Sequence, residues 1–434
     1  MGNSFSGSQI CTPSNINYYG GKYSNHLHGL SRSYRRILRK LNFPPILDHA
    51  PFDGVPDVPS GTDYGHANMK NRKFAILVLA VALGVFVFSL SVTKNDAQKV
   101  STPAPSPASH TRTNYIAAEN TTWNYAPTGK DQMTGKPIPE PWGKQLVYNK
   151  VRYFEYTDGS FTTKKPQPEW LGILGPIIRG VEGDTIKVVF YNKANKPYSM
   201  HPHGLHYDKD NEGATHEAGG SDHDMSSMTG GSMPMDGAGA KVAPGQKYTY
   251  TWTVPHDAAP TEAEGGSKIW MYHSHVNGPQ DVYDGLIGPI IITSKVHARA
   301  DGTPDDVDKE FVTMYMIFDE SKPGMTPEQK EGHLKHSING YIFANLPGLD
   351  MDKGDRVRWH LIGMGNEVDL HTPHWHGKVV KINGTYTDVA ELLPASMKSG
   401  DMVADNPGEW MYHCHVADHI TAGMTSMYRV HDKK

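Results

Sequence analysis

The sequence predicts an all-β protein: two β-sandwiches, preceded by a disordered polar tail and one transmembrane helix. Three observations carry that reading. Short runs of alternating character, such as 185–191 (TIKVVFY) and 356–361 (RVRWHL), recur between Gly, Pro and Asn turns from about residue 112 onward. No long amphipathic helix interrupts them. The second half also repeats the first: GDTIK at Gly183 leads to HPHG at His201, as GDRVR at Gly354 leads to HTPHWHG at His371. WMYHSHV at Trp270 then matches WMYHCHV at Trp410 at every position but one. Stability must come from packed cores, because Cys11 and Cys414 are the only cysteines. A net charge of −4 over 434 residues shows no bias towards nucleic acid.

Taken in order, residues 1–73 read as a disordered cytosolic tail carrying Arg32, Arg35, Arg36, Arg39 and Lys40. MGNSFS at the start fits a myristoylation pattern, with Cys11 as a palmitoylation partner. Residues 74–92 (FAILVLAVALGVFVFSLSV) carry no charge and match the length of a bilayer crossing. They lie too deep in the chain for an ordinary cleaved signal peptide. Lys70, Arg72 and Lys73 precede them, so the positive-inside rule leaves the N-terminus cytosolic and everything after residue 93 extracellular or lumenal. Residues 93–111 (with STPAPSPAS) read as a stalk. Sequons at Asn120 and Asn383 would face the lumen as glycosylation sites. The first sandwich is expected over 112–296, with a Met/His-rich insertion at 215–236, and the second over 308–432.

The chemistry lies in the histidines. Four His-x-His pairs stand out among 24 histidines: His201/His203, His273/His275, His374/His376 and His413/His415. One such pair is weak evidence, but two per repeat, each near a strand end, point to clustered metal ions, and neutral imidazole suits copper. Between His413 and His415 stands Cys414, which on a strand points to the opposite face. One Cys, a His and a weak axial Met is the ligand set of a blue copper site. Cys414 is matched by Ser274, Met424 by Leu286 and His371 by Tyr198, while His419 has no counterpart. The mononuclear ligands are thus confined to the second repeat, and the paired histidines occur in both.

At these residues the chain resembles the multicopper oxidases, in particular ceruloplasmin and hephaestin. The resemblance runs from about Tyr115 to Val430 and includes ENTTW at Glu119, WLGILGPII at Trp170, DGLIGPI at Asp284, MGNEVDLHTPHWH at Met364 and HCHVADH at His413. It departs from those relatives in having two such domains instead of six, and in its membrane anchor. It implies Greek-key cupredoxin-like domains and four copper ions per functional unit. Type 1 copper would take His371, Cys414, His419 and Met424; type 2 copper would take His201 and His374. The type 3 pair would take His203, His273 and His415 on one ion and His275, His376 and His413 on the other. The implied reaction is one-electron oxidation of a reductant coupled to four-electron reduction of O2 to water.

Glu331, His336 and Asp418 match the family's iron-binding Glu, His and Asp, which favours Fe2+ as reductant. Alternatives are Cu+, suggested by Met225, Met228, Met233 and Met235 with His216 and His223, and a laccase-like phenol oxidase. A two-domain copper nitrite reductase would use fewer histidines; a non-enzymatic copper-binding ectodomain is a reading of another class. Two-domain relatives imply a homotrimer, closed head-to-tail. An iron permease taking up the Fe3+ product is the expected partner by analogy.

Overall fold

The computed structural model describes residues 109–215, 236–366 and 369–433. The expected tail, membrane span and most of the stalk lie outside them, as do residues 216–235 of the Met/His-rich insertion. Among the described residues no helix is long and apolar enough to cross a membrane. The described residues all belong to one compact unit.

Among the described residues, eighteen strands make four sheets, arranged as two pairs. In the first pair, β1 (Thr111–Asn124), β2 (Val147–Tyr156), β4 (Thr185–Asn192) and β6 (Lys247–Thr253) lie in the order β2-β1-β4-β6. Opposite them β3 (Ile178–Val181), β5 (His201–Pro202), β7 (Ser267–His273) and β8 (Ile287–Thr293) lie in the order β3-β8-β7-β5. Period-two alternation builds the core between them: β4 buries Ile186, Val188 and Phe190 and leaves Lys187 outside.

The second pair repeats this plan. β9 (Lys309–Asp319), β10 (Leu334–Ile338), β12 (Arg356–Gly363), β14 (Val380–Ile382), β15 (Thr385–Thr387) and β16 (Ser396–Val403) form the larger sheet. β11 (Asp350–Asp352), β13 (Pro373–Trp375), β17 (Gly408–Cys414) and β18 (Thr425–His431) form the other. Its core is aromatic, with Trp359, Trp375, Tyr412 and Tyr428 fully buried beside Cys414 and Met424. The repeat extends to strand direction, since β1 runs parallel to β4 as β9 runs parallel to β12.

A third apolar layer joins the two pairs. Ile269, Met271, Ile287 and Ile291 from β7 and β8 pack with Val312, Met314, Met316 and Phe318 from β9. β9 is therefore covered on both faces, because Phe311 and Tyr315 point into the second core, and its alternation disappears over residues 311–316.

A buried polar network pins one end of this layer. Arg358 is fully buried; its Nε donates to Asp401 at 2.7 Å, its Nη2 to Asp306 at 2.7 Å and its Nη1 to Ser267 Oγ at 3.0 Å. Ser267 in turn donates to Glu310 at 2.8 Å. Burial alone would raise the Glu310 carboxyl, but His360 and Arg179 outweigh it and hold it at about 2.

Candidate metal centre

Cys414 closes β17 with its thiol in the aromatic core. The Thr372 amide donates to its sulfur at 3.3 Å. The short helix α3 (Ala417–Thr421; α1 is Gly278–Asp284 and α2 is Pro327–Glu331) brings His419 Nδ1 to 3.5 Å from that sulfur. His371 Nε2 donates to the Met364 carbonyl at 3.1 Å, and its buried Nδ1 has no hydrogen-bond partner. Donor atoms of His371, Cys414 and His419 all lie within 4.8 Å of one another. Met424 is fully buried in the same core, and its amide donates to the His419 carbonyl at 2.9 Å.

This donor set fits copper. A buried nitrogen with no partner costs stability unless something accepts its lone pair, and thiolate with imidazole is a soft set. Burial lowers the His371 imidazole to about 4, so it is neutral and free to ligate. Burial pushes the Cys414 thiol up, so metal binding must displace its proton.

The eight histidines of the His-x-His pairs fall into two quartets placed by antiparallel pairing. His201 lies opposite His273 across β5 and β7, and His374 opposite His413 across β13 and β17. His201 Nδ1 meets the Glu212 carbonyl at 2.7 Å and His374 Nδ1 the Asp388 carbonyl at 2.8 Å. His273 and His413 each use Nδ1 on the carbonyl of the next residue, at 2.9 and 2.8 Å. Each of these four rings therefore holds its proton on Nδ1 and offers a bare Nε2, the arrangement that orients metal-bound imidazoles. His203 and His273 bring Nε2 to within 3.1 Å, and so do His376 and His413. Metal–nitrogen bonds of roughly 2.0–2.1 Å set donors about 3 Å apart. Burial lowers His203 to about 4, His273 to about 3 and His413 to about 4. His275 and His415 meet His201 and His374 edge to face, with ring centroids at 5.4 and 5.3 Å. Among the described residues, no ring contact or hydrogen bond joins one quartet to the other.

The first sandwich shows what replaces the sulfur site, and it supplies the counterpart to His419 that motif matching leaves blank. Leu286 N donates to Asp281 O at 3.0 Å, as Met424 N does to His419 O at 2.9 Å. Asp281 is buried and accepts Ser274 Oγ at 2.6 Å, where His419 meets Cys414. Tyr198, Ser274, Asp281 and Leu286 thus stand for His371, Cys414, His419 and Met424. Ser274 meets the carboxylate by a hydrogen bond and no soft ligand remains.

Of the three residues expected at the reductant site, two lie beside the sulfur centre. His336 is buried with its ring 5.1 Å from that of His419, and its Nδ1 has no hydrogen-bond partner. Burial, and secondarily His419, lower it to about 3. Asp418 is exposed at the start of α3. Glu331 ends α2, and its Oε1 accepts the Trp142 indole N–H at 3.2 Å. Among the described residues it makes no hydrogen bond or ion pair with His336 or Asp418.

Two family models described as multicopper oxidase match residues 317–434 and 169–223. The human ferroxidase HEPHL1 is 39% identical over 75% of this chain and 30% of its own length. Human hephaestin is 36% identical over 74% of this chain and 29% of its own. Human ceruloplasmin is 36% identical over 74% of this chain and 32% of its own. The chain thus spans about a third of the relatives it matches. A solved multicopper oxidase, mgLAC, superposes with a TM-score of 0.50 at 22% identity, covering 74% of this chain and 86% of that one.

Proposed function

This chain is a multicopper oxidase similar to ceruloplasmin and hephaestin over the part of them that it spans, and from that premise we propose that it oxidises Fe2+ to Fe3+ with O2 as acceptor. Its fold is mostly β and cupredoxin-like. Copper, when bound, supplies one-electron oxidation at the sulfur centre and O2 reduction at the histidine cluster. The observation that carries the reading is the convergence of His371 Nδ1, the Cys414 sulfur and His419 Nδ1, with Cys414 covalently joined to His413 and His415. In this proposal His371, Cys414, His419 and Met424 hold type 1 copper, and His201 with His374 hold type 2. His203, His273 and His415 hold one type 3 ion; His275, His376 and His413 hold the other.

Iron as reductant is supported by the open Nδ1 of His336 beside His419, by Asp418 next in chain to His419, and by the naming of the HEPHL1 relative as a ferroxidase. Glu331→Ala is expected to raise KM for Fe2+ on the order of tenfold, about 1.4 kcal/mol, and to leave Cu+ oxidation intact in steady-state assays. Equal loss on both reductants would remove iron from the site. A second reading, Cu+ as reductant, draws on a cavity of about 260 Å³ that Met271, Met316 and Met364 line together with His203, His273 and His275.

The separation of the quartets supports assembly. In the proposed homotrimer the first quartet of one chain meets the second quartet of the next, at the open recess beside His374, His376 and Lys378. Light scattering on copper-loaded protein should give three chains per particle; a fully active monomer would refute the arrangement. We further propose that residues 74–92 anchor the chain with its sandwiches outside the cytosol, and that a permease for Fe3+ takes up the product.

A further inference from the structure

The connection between β1 and β2 leaves the first sandwich and lies along the segment that carries Glu331 and His336. It touches that segment at three points. Pro141 packs on Gly332, so closely that a Cβ on the glycine would lie 2.9 Å from the Pro141 carbonyl oxygen. The buried Lys335 ammonium donates to the Trp142 carbonyl at 2.9 Å and to the Gly332 carbonyl at 2.7 Å. The Trp142 indole N–H then donates to Glu331 Oε1 at 3.2 Å. The ring of Trp142 also leans on Phe343, with centroids 6.1 Å apart. The Phe343 amide donates to the Gly423 carbonyl at 2.7 Å, one residue before Met424.

A half-buried glutamate at the end of a five-residue helix still has several rotamers, and ordering it costs conformational entropy. An indole is a single rigid donor on two torsions, and its bond here fixes one carboxylate oxygen and leaves the other free. Fixing a carboxylate before a cation arrives removes that ordering cost from binding. We infer that Trp142 is a positioning residue for the reductant: it holds Glu331 in place for a divalent cation, so the first sandwich shapes the entry to the sulfur centre of the second. This rests on the reading of Glu331 as part of the iron site.

The test is a double-mutant cycle on the copper-loaded full chain, with Fe2+ as the probe. Trp142→Phe keeps the ring and removes the donor. KM for Fe2+ should rise about fivefold, the loss expected for one ordinary, partly exposed hydrogen bond. The turnover number should stay within about twofold and the blue absorption should not move. In a Glu331→Ala background the same substitution should add nothing. Lys335→Met, which loosens the strap without touching the indole, should raise KM in the same direction. An unchanged KM in Trp142→Phe, or effects that add fully in the double variant, would overturn the positioning role. If Glu331→Ala alone leaves KM for Fe2+ unchanged, the iron-site reading fails first and this inference with it.

Discussion

Cys414→Ser will remove the blue absorption and the oxidation of every reductant, while the protein stays folded. Serine cannot supply the soft, charged sulfur that the buried centre presents, and its hydroxyl would face His419 and the orphaned His371 Nδ1 with no thiolate between them. The loss should exceed the roughly 10–100-fold seen when an outer partner of a metal site is removed. The fold should survive because the first sandwich already carries Ser274 at this place, bonded to the Ser199 amide at 3.2 Å and to Asp281 at 2.6 Å. Absorption spectra, copper content and O2 consumption with Fe2+ check the outcome; a blue, active Cys414→Ser would remove the sulfur centre from the mechanism.

Arg358→Met should have the largest effect on stability without touching a proposed ligand. Arg358 is held above its usual range because bonds to Asp401 and Asp306 outweigh the cost of its burial. Removing it leaves two carboxylates facing an empty position and takes a donor from Ser267 on the neighbouring sandwich. Breaking a buried ion pair from one side costs about 3–5 kcal/mol. Asp306 and Asp401 keep some access to water, with side chains 22% and 37% exposed, which favours the lower end, about 3 kcal/mol. Denaturant melts of the purified protein measure this directly. No change in the midpoint would mean that water replaces the guanidinium without penalty.

The parts of the site legible in the chain are those written within a few residues. His413, Cys414 and His415 are adjacent, and the His-x-His spacing survives in both repeats, so strand parity sorts them before any fold is known. Asp281 was hidden because Val276 and Leu286 are ten residues apart where Val416 and Met424 are eight, and a two-residue insertion defeats motif matching. Its place emerges only from the backbone bonds that Leu286 and Met424 share. Trp142 and Glu331 lie 189 residues apart, and Ser267 and Arg358 lie 91 apart. No local pattern encodes such pairs, because they depend on how one sandwich is set against the other.

The apolar layer between the sandwiches makes the two repeats inseparable in another sense. Ile269, Met271, Ile287 and Ile291 of the first sandwich and Val312, Met314, Met316 and Phe318 of the second share one cluster, so each set is covered in part by the other. Parting them would expose eight large side chains, each worth about 1.5–3 kcal/mol when buried. What reads as a tandem duplication is therefore expected to melt as a single cooperative block, giving one transition in a calorimetric scan. A cut through the polar connection near residue 300 should leave both halves clasped, so that they co-elute in gel filtration.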